Sequence, residues 1–173
     1  VGQIFAQWAK SIGAKVIGTV GSDEKIPIAK KNGYDHVINY SKSDFSKEVM
    51  KLTNNEGVPA VFDGVGKKTF HGSLACLKPR GMMISFGNAS GPLDPVNVPT
   101  DIQSKSLYLT RPTIAHYFTN RKELQAGADA IFEKVKFGKI KLNIFKEYKL
   151  EDAKKAHQDL EDRKILGPCV LIP

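Results

Sequence analysis

Four short segments hold residue types suited to gripping a flat, anionic ligand: Thr19-Val20-Gly21-Ser22, Asn39-Tyr40, Asp63-Gly64-Val65-Gly66 and Phe86-Gly87-Asn88. Glycine lets a ligand lie against the backbone, and the N–H groups it uncovers bond phosphate or carboxamide oxygens. Each segment closes an apolar or β-branched run, the place where ligands bind in an open parallel sheet. The same glycines would serve as plain tight turns. Three glycine-bearing turns on one sheet edge favour a nucleotide site.

Other chemistries find little footing. His36, His71, His116 and His157 stand far apart, and neither Cys76 nor Cys169 has a second cysteine or a histidine at ligand spacing, so no metal site is expected. Both thiols sit in apolar runs and read as inert core residues. A cysteine nucleophile would need an activating base that the sequence does not name. His157 falls on the inner face of its expected helix and reads as a packed structural residue. No Gly-x-Ser-x-Gly elbow occurs, which argues against a serine hydrolase. No side chain is singled out as catalytic.

The elements that must carry these turns alternate. Ile4, Phe5, Trp8, Ala9 and Ile12 recur at helical spacing before Gly13. A strand follows at residues 15–20, then a helix that Ser22 and Asp23 start, Pro27 disturbs and Gly33 ends. The next strand is 36–40. Phe45, Val49 and Leu52 mark a helix face, 59–63 is a strand, Phe70, Leu74 and Leu77 mark another helix, and 82–86 is again a strand. Strands alternating with single helices must be parallel, and nearly continuous apolar runs mean both sheet faces are covered. The fold class is therefore α/β, a doubly wound parallel sheet.

After Gly87 the rhythm breaks. Residues 88–105 contain Pro92, Pro95 and Pro99, show no period, and read as a functional or mobile loop. Ser106-Leu-Tyr-Leu-Thr110 resumes as a strand. A long helix spans 121–137, with Leu124, Ala128, Ile131, Phe132 and Val135 on one face and Gly138 as its stop. A strand at 142–145, a helix at 150–163 and a strand at 169–172 complete the chain.

At 173 residues the chain is about one large domain, and 41% hydrophobic with 25% charged residues excludes a wholly disordered one. No apolar run approaches the ~20 residues of a membrane helix. Two cysteines make no disulfide framework, which points to a cytoplasmic protein. The net charge is +8, and residues 101–150 hold ten basic and five acidic side chains. That excess reads as a solvated basic face, as attraction for an anionic ligand, or as weak non-specific nucleic-acid binding without a dedicated motif. Only Val1-Gly2 precedes the first helix, so the first strand and most of a Rossmann glycine fingerprint are missing. The chain is expected to be truncated just inside a phosphate loop.

Val1-Gly2-Gln3 with Gln7-Trp8-Ala9-Lys10, Gly18-Thr-Val-Gly21, Val37-Ile-Asn-Tyr40, Asp63-Gly-Val-Gly66, Ser85-Phe-Gly-Asn88, Ser106-Leu-Tyr-Leu-Thr-Arg-Pro112 and Leu171-Ile-Pro173 form a combined signature. Across essentially the whole chain this resembles the second half of the NADPH:quinone oxidoreductases. These form the zinc-free branch of the medium-chain dehydrogenase/reductase superfamily that includes zeta-crystallin. The resemblance implies residues 1–141 as an incomplete Rossmann-type NADP-binding domain. It implies 142–173 as a segment returning to an N-terminal catalytic domain.

The resemblance further implies hydride transfer from NADPH to a quinone or another activated enone, with this chain alone inactive. Phe86 and Gly87 would line the nicotinamide end, Gly64, Val65 and Gly66 the ribose region, and Gly2 would remain from the pyrophosphate loop. Arg163 matches the family position that closes over the phosphate. A homodimer through the 106–110 edge strand is implied as well. The strand tip at Gly18 to Ser22 carries no acid to take ribose hydroxyls, which favours NADP over NAD. Thr19, Gly21 and Ser22 leave room there, Lys25 lies one helical turn past Ser22 as a point charge for the 2′-phosphate, and Tyr40 borders the adenosine. Asp23 and Glu24 read as acids favouring the helix dipole. The alternatives are another zinc-free or zinc-dependent reductase of the superfamily, and a non-enzymatic module binding nucleotide or single-stranded nucleic acid.

Overall fold

The protein is described by a computed structural model covering residues 1–162 and 164–173. In chain order the regular elements are α1 (Gly2–Ser11), β1 (Ile17–Val20), α2 (Lys25–Lys31), β2 (His36–Asn39), α3 (Phe45–Leu52), β3 (Val58–Asp63), α4 (Phe70–Cys76), β4 (Leu77–Ser85), β5 (Tyr108–Thr110), α5 (Ile114–Tyr117), α6 (Arg121–Lys136), β6 (Lys146–Lys149), α7 (Ala153–Glu161) and β7 (Cys169–Ile172). The chain forms two compact units, residues 1–37 with 128–173 and residues 38–127. Among the described residues the ladders run β1–β2, β3–β4–β5 and β6–β7. The resolved pairings of the last two sheets are parallel. The α/β class with parallel strands is thus the observed one.

Local chemistry explains most boundaries. Gly13, Gly33 and Gly138 follow their helices at φ of 86°, 95° and 68°, a left-handed conformation that stops a helix. The Asp44 carboxylate accepts from the Ser46 and Lys47 N–H groups and starts α3. Asn120 accepts the Glu123 N–H while Glu123 accepts the Thr119 N–H, a reciprocal cap at the start of α6. In the first unit Asp35 holds β1 by accepting the Val16 N–H at 2.8 Å and pairing with Lys10 at 2.9 Å.

Several expectations are corrected. Leu77 opens β4 instead of closing α4. It is fully buried and pairs with Val58, and the register then shifts before Ala60 meets Met82. A buried residue at a helix-to-strand junction satisfies either period. Residues 88–105 are not a plain loop: they contain a π-helical turn (Val98–Ile102) and a 3₁₀ turn (Gln103–Lys105). Their Leu93, Val96 and Ile102 pack on the core of Phe70, Leu74, Leu77, Met83 and Leu107. The strand expected at 142–145 lies at Lys146–Lys149, where only Tyr148 is buried; Leu142, Ile144 and Phe145 are exposed. His157 is exposed on α7, and Cys169 is half-buried rather than a core thiol.

Candidate functional site

In the unit of residues 38–127, β3 and β4 end side by side, with Asp63 opposite Ser85. Asp63 is buried, so its carboxylate needs partners, and it has four. Oδ1 accepts the Val65 N–H at 2.8 Å and the Gly66 N–H at 3.0 Å. Oδ2 accepts the Thr69 and Ser73 hydroxyls, each at 2.7 Å. These bonds fold Gly64, Val65 and Gly66 into a tight turn between β3 and α4. The Asp63 carbonyl accepts the Phe86 N–H at 2.9 Å and the Gly87 N–H at 3.3 Å, so the turn after β4 hangs on the same residue.

The two turns touch backbone to backbone. A Cβ on Gly87 would lie 2.8 Å from the Gly64 Cα, a distance real Cβ atoms do not reach. The Phe86 ring leans over Gly64 and is itself exposed. Arg111, just past β5, completes the arrangement. Its Nη1 donates to the carbonyls of Ser85 (3.0 Å) and Gly87 (3.3 Å) and to Asn88 Oδ1 (3.2 Å). The Ser85 hydroxyl is buried and unpartnered. Tyr40, in the same unit, follows β2 and is half-buried.

In the unit of residues 1–37 and 128–173, Thr19 is exposed at the tip of β1, and Gly21, Ser22 and Lys25 are half-buried in the turn that enters α2. The Ser22 carbonyl accepts the Lys25 N–H at 3.2 Å, and the Asp23 carbonyl accepts the Ile26 N–H at 3.0 Å. The helix begins at Lys25 rather than at Ser22, with Glu24 as its N-cap and no side-chain cap bond. A lysine in that first turn opposes the helix dipole. Gly2 is the first residue of α1, and its carbonyl accepts the Tyr34 hydroxyl at 3.0 Å. The Tyr34 ring also fills the space beside Gly18, 2.5 Å from where a Cβ would stand. Two hollows in this unit, of about 230 and 280 Å³, are lined by none of the expected cofactor residues. Arg163 lies outside the described residues.

Gly64, Val65, Gly66, Phe86 and Gly87 therefore share one built locus, while Thr19, Gly21, Ser22 and Lys25 lie along one segment that runs from the end of β1 through a turn into α2. Sequence reasoning passed over Asp63 and Arg111 as functional candidates. A signal was present: Thr69 and Ser73 lie four apart on one helical face after an Asp-Gly turn, the spacing that aims two hydroxyls at one acceptor. Among the described residues no cluster of His, Cys, Asp and Glu could hold a metal ion.

The sequence matches the family described as zinc-binding dehydrogenase over residues 1–134. It is 42% identical to a 2-haloacrylate reductase from a Burkholderia species, over all of this chain and 52% of that protein. It is 45% identical to a Salmonella typhimurium quinone oxidoreductase, over all of this chain and 54% of that protein. A crystal structure of Escherichia coli quinone oxidoreductase complexed with NADPH superimposes with a TM-score of 0.95 at 43% identity, over all of this chain and 54% of that one. The chain spans about half the length of the relatives it matches. The described residues of this half offer no ligand set that fits the zinc in the family's description. With its parallel strands, its paired strand-end turns and a match over most of its length, the chain belongs to the zinc-binding dehydrogenase family.

Proposed function

We propose that this chain is the cofactor-binding part of an NADPH-dependent quinone oxidoreductase. The observation that carries the reading is the pair of backbone-packed turns, Gly64 to Gly66 and Phe86 to Gly87, at the C-terminal ends of parallel strands. The whole-chain likeness to an NADPH-complexed relative supports it. Phe86 and Gly87 serve the nicotinamide end, Gly64, Val65 and Gly66 the ribose region, and Gly2 the pyrophosphate. Thr19, Gly21, Ser22 and Lys25 serve the 2′-phosphate, Tyr40 borders the adenosine, and Arg163 is a further phosphate ligand. Bound NADPH supplies the hydride, so the chain's own task is to bind and orient.

The acceptor is a quinone or another activated enone. Residues 1–141 form the NADP-binding part, and 142–173 return to a catalytic domain. Two copies pair through β5, whose Tyr108 and Leu109 are exposed. The two free thiols suit the cytoplasm. The test compares NADPH-driven reduction of 1,4-benzoquinone by the 173-residue chain alone and by the same chain preceded by its catalytic domain. Turnover is expected only from the second, because donor and acceptor must be held together at near-attack geometry. Turnover by the short chain alone would overturn the assignment.

A further inference from the structure

We propose that Asp63 and Arg111 are positioning residues that set the two cofactor turns from opposite sides, Asp63 from β3 and Arg111 from the end of β5. This rests on the reading that those turns take the nicotinamide half of NADPH. A buried carboxylate is a costly way to stabilise a core, since apolar packing does that work at lower cost. Here all four of its bonds go to the turn it precedes and to the helix which that turn starts. Its own carbonyl holds the second turn. Because Gly64 and Gly87 meet backbone to backbone, neither turn can shift alone. Arg111 closes the arrangement with three bonds from one nitrogen, all to Ser85, Gly87 and Asn88. The result is a row of main-chain groups fixed before any ligand arrives, the pre-organisation that lowers the entropy cost of binding.

The side-chain chemistry sets the order of variants. In Asp63→Asn the amide oxygen still accepts the Val65 and Gly66 N–H groups. Its NH₂ meets two hydroxyls, which accept as readily as they donate. Asp63→Ala strips the Val65 and Gly66 N–H groups and the Ser73 hydroxyl of their acceptor and leaves Thr69 only its 3.3 Å contact with the Gly66 carbonyl. Arg111→Ala empties an exposed position and leaves the core intact, so it remains informative where Asp63→Ala does not fold.

The experiment titrates the purified protein and its variants with NADPH and with adenosine 2′,5′-bisphosphate, which lacks the nicotinamide half. Amide exchange at Val65, Gly66, Gly87 and Asn88 is followed without ligand. Asp63→Ala and Arg111→Ala are expected to weaken NADPH by about tenfold or more and to speed exchange at the turns, leaving the bisphosphate within about twofold; Asp63→Asn keeps NADPH within about threefold. Equal losses for both ligands, or unchanged NADPH affinity with unchanged exchange, would overturn the proposal while leaving the cofactor assignment standing. A wild-type protein that does not bind NADPH would instead overturn the assignment, and this proposal with it.

Discussion

Gly18 shows how one residue's type is set by its neighbour rather than by a ligand. The Tyr34 ring occupies the volume a side chain would need, so Gly18→Ala forces the ring or β1 to move. The variant should lose about 1–3 kcal/mol of stability, the usual cost of overpacking, read from the denaturant midpoint at unchanged m-value. Cys76 is a second case. Burial pushes its thiol up to about 11, so it stays protonated at neutral pH. Iodoacetamide at pH 7.5 should label the half-buried Cys169 well before Cys76; preferential labelling of Cys76 would contradict the packing of α4. At this scale the sequence was legible where a residue type has one use, as with the helix-ending glycines. It was not legible for Asp63, because an Asp-Gly pair marks a turn whether or not the carboxylate is buried.

Among elements, α7 is tied to β6 by charge. The Tyr148 hydroxyl donates to Asp159 at 2.9 Å and Lys146 reaches the same oxygen at 3.3 Å, holding the Asp159 carboxyl below its usual range. A depressed carboxyl contributes stability above its unfolded pKa, and that contribution is lost as pH falls through its folded value. Acidification below the ordinary aspartate value of about 3.9 should therefore loosen residues 146–161. Amide exchange in α7 should quicken on acidification in the wild type, relative to the intrinsic rate, and show no such step in Asp159→Asn. At the free edge, Leu109→Lys should raise the dissociation constant of a β5-paired dimer about tenfold or more, because the two-fold axis sets each added charge against its copy. Sedimentation across a concentration series measures this; a constant monomer mass in the wild type would refute the pairing. β3, β4, β5 and α6 were legible from their apolar period even though Phe62, Met82 and Tyr108 are exposed and α6 has no buried residue among those described. Reading failed at Lys146–Lys149, a polar strand with one buried residue, and at the exposed apolar run of 142–145.

For the molecule as a whole, the proposed NADPH reading rests its choice of nucleotide on the tip of β1. An acid on the strand tip itself would bind ribose hydroxyls and repel a 2′-phosphate; the tip instead offers Gly21 and Ser22, followed by Lys25 in the first turn of α2, where the helix dipole disfavours a cation. That placement against the helix dipole is consistent with the 2′-phosphate role proposed for Lys25. On the proposed reading, the chain selects NADPH through this turn. The direct measurement is titration of the purified protein, wild type and Lys25→Ala, with NADPH and with NADH. The wild type is expected to bind NADPH more tightly than NADH, and Lys25→Ala to lose about 1.5–3 kcal/mol for NADPH alone, the worth of one well-formed charge-assisted bond. Equal affinities in the wild type, or equal losses for both cofactors in the variant, would contradict it.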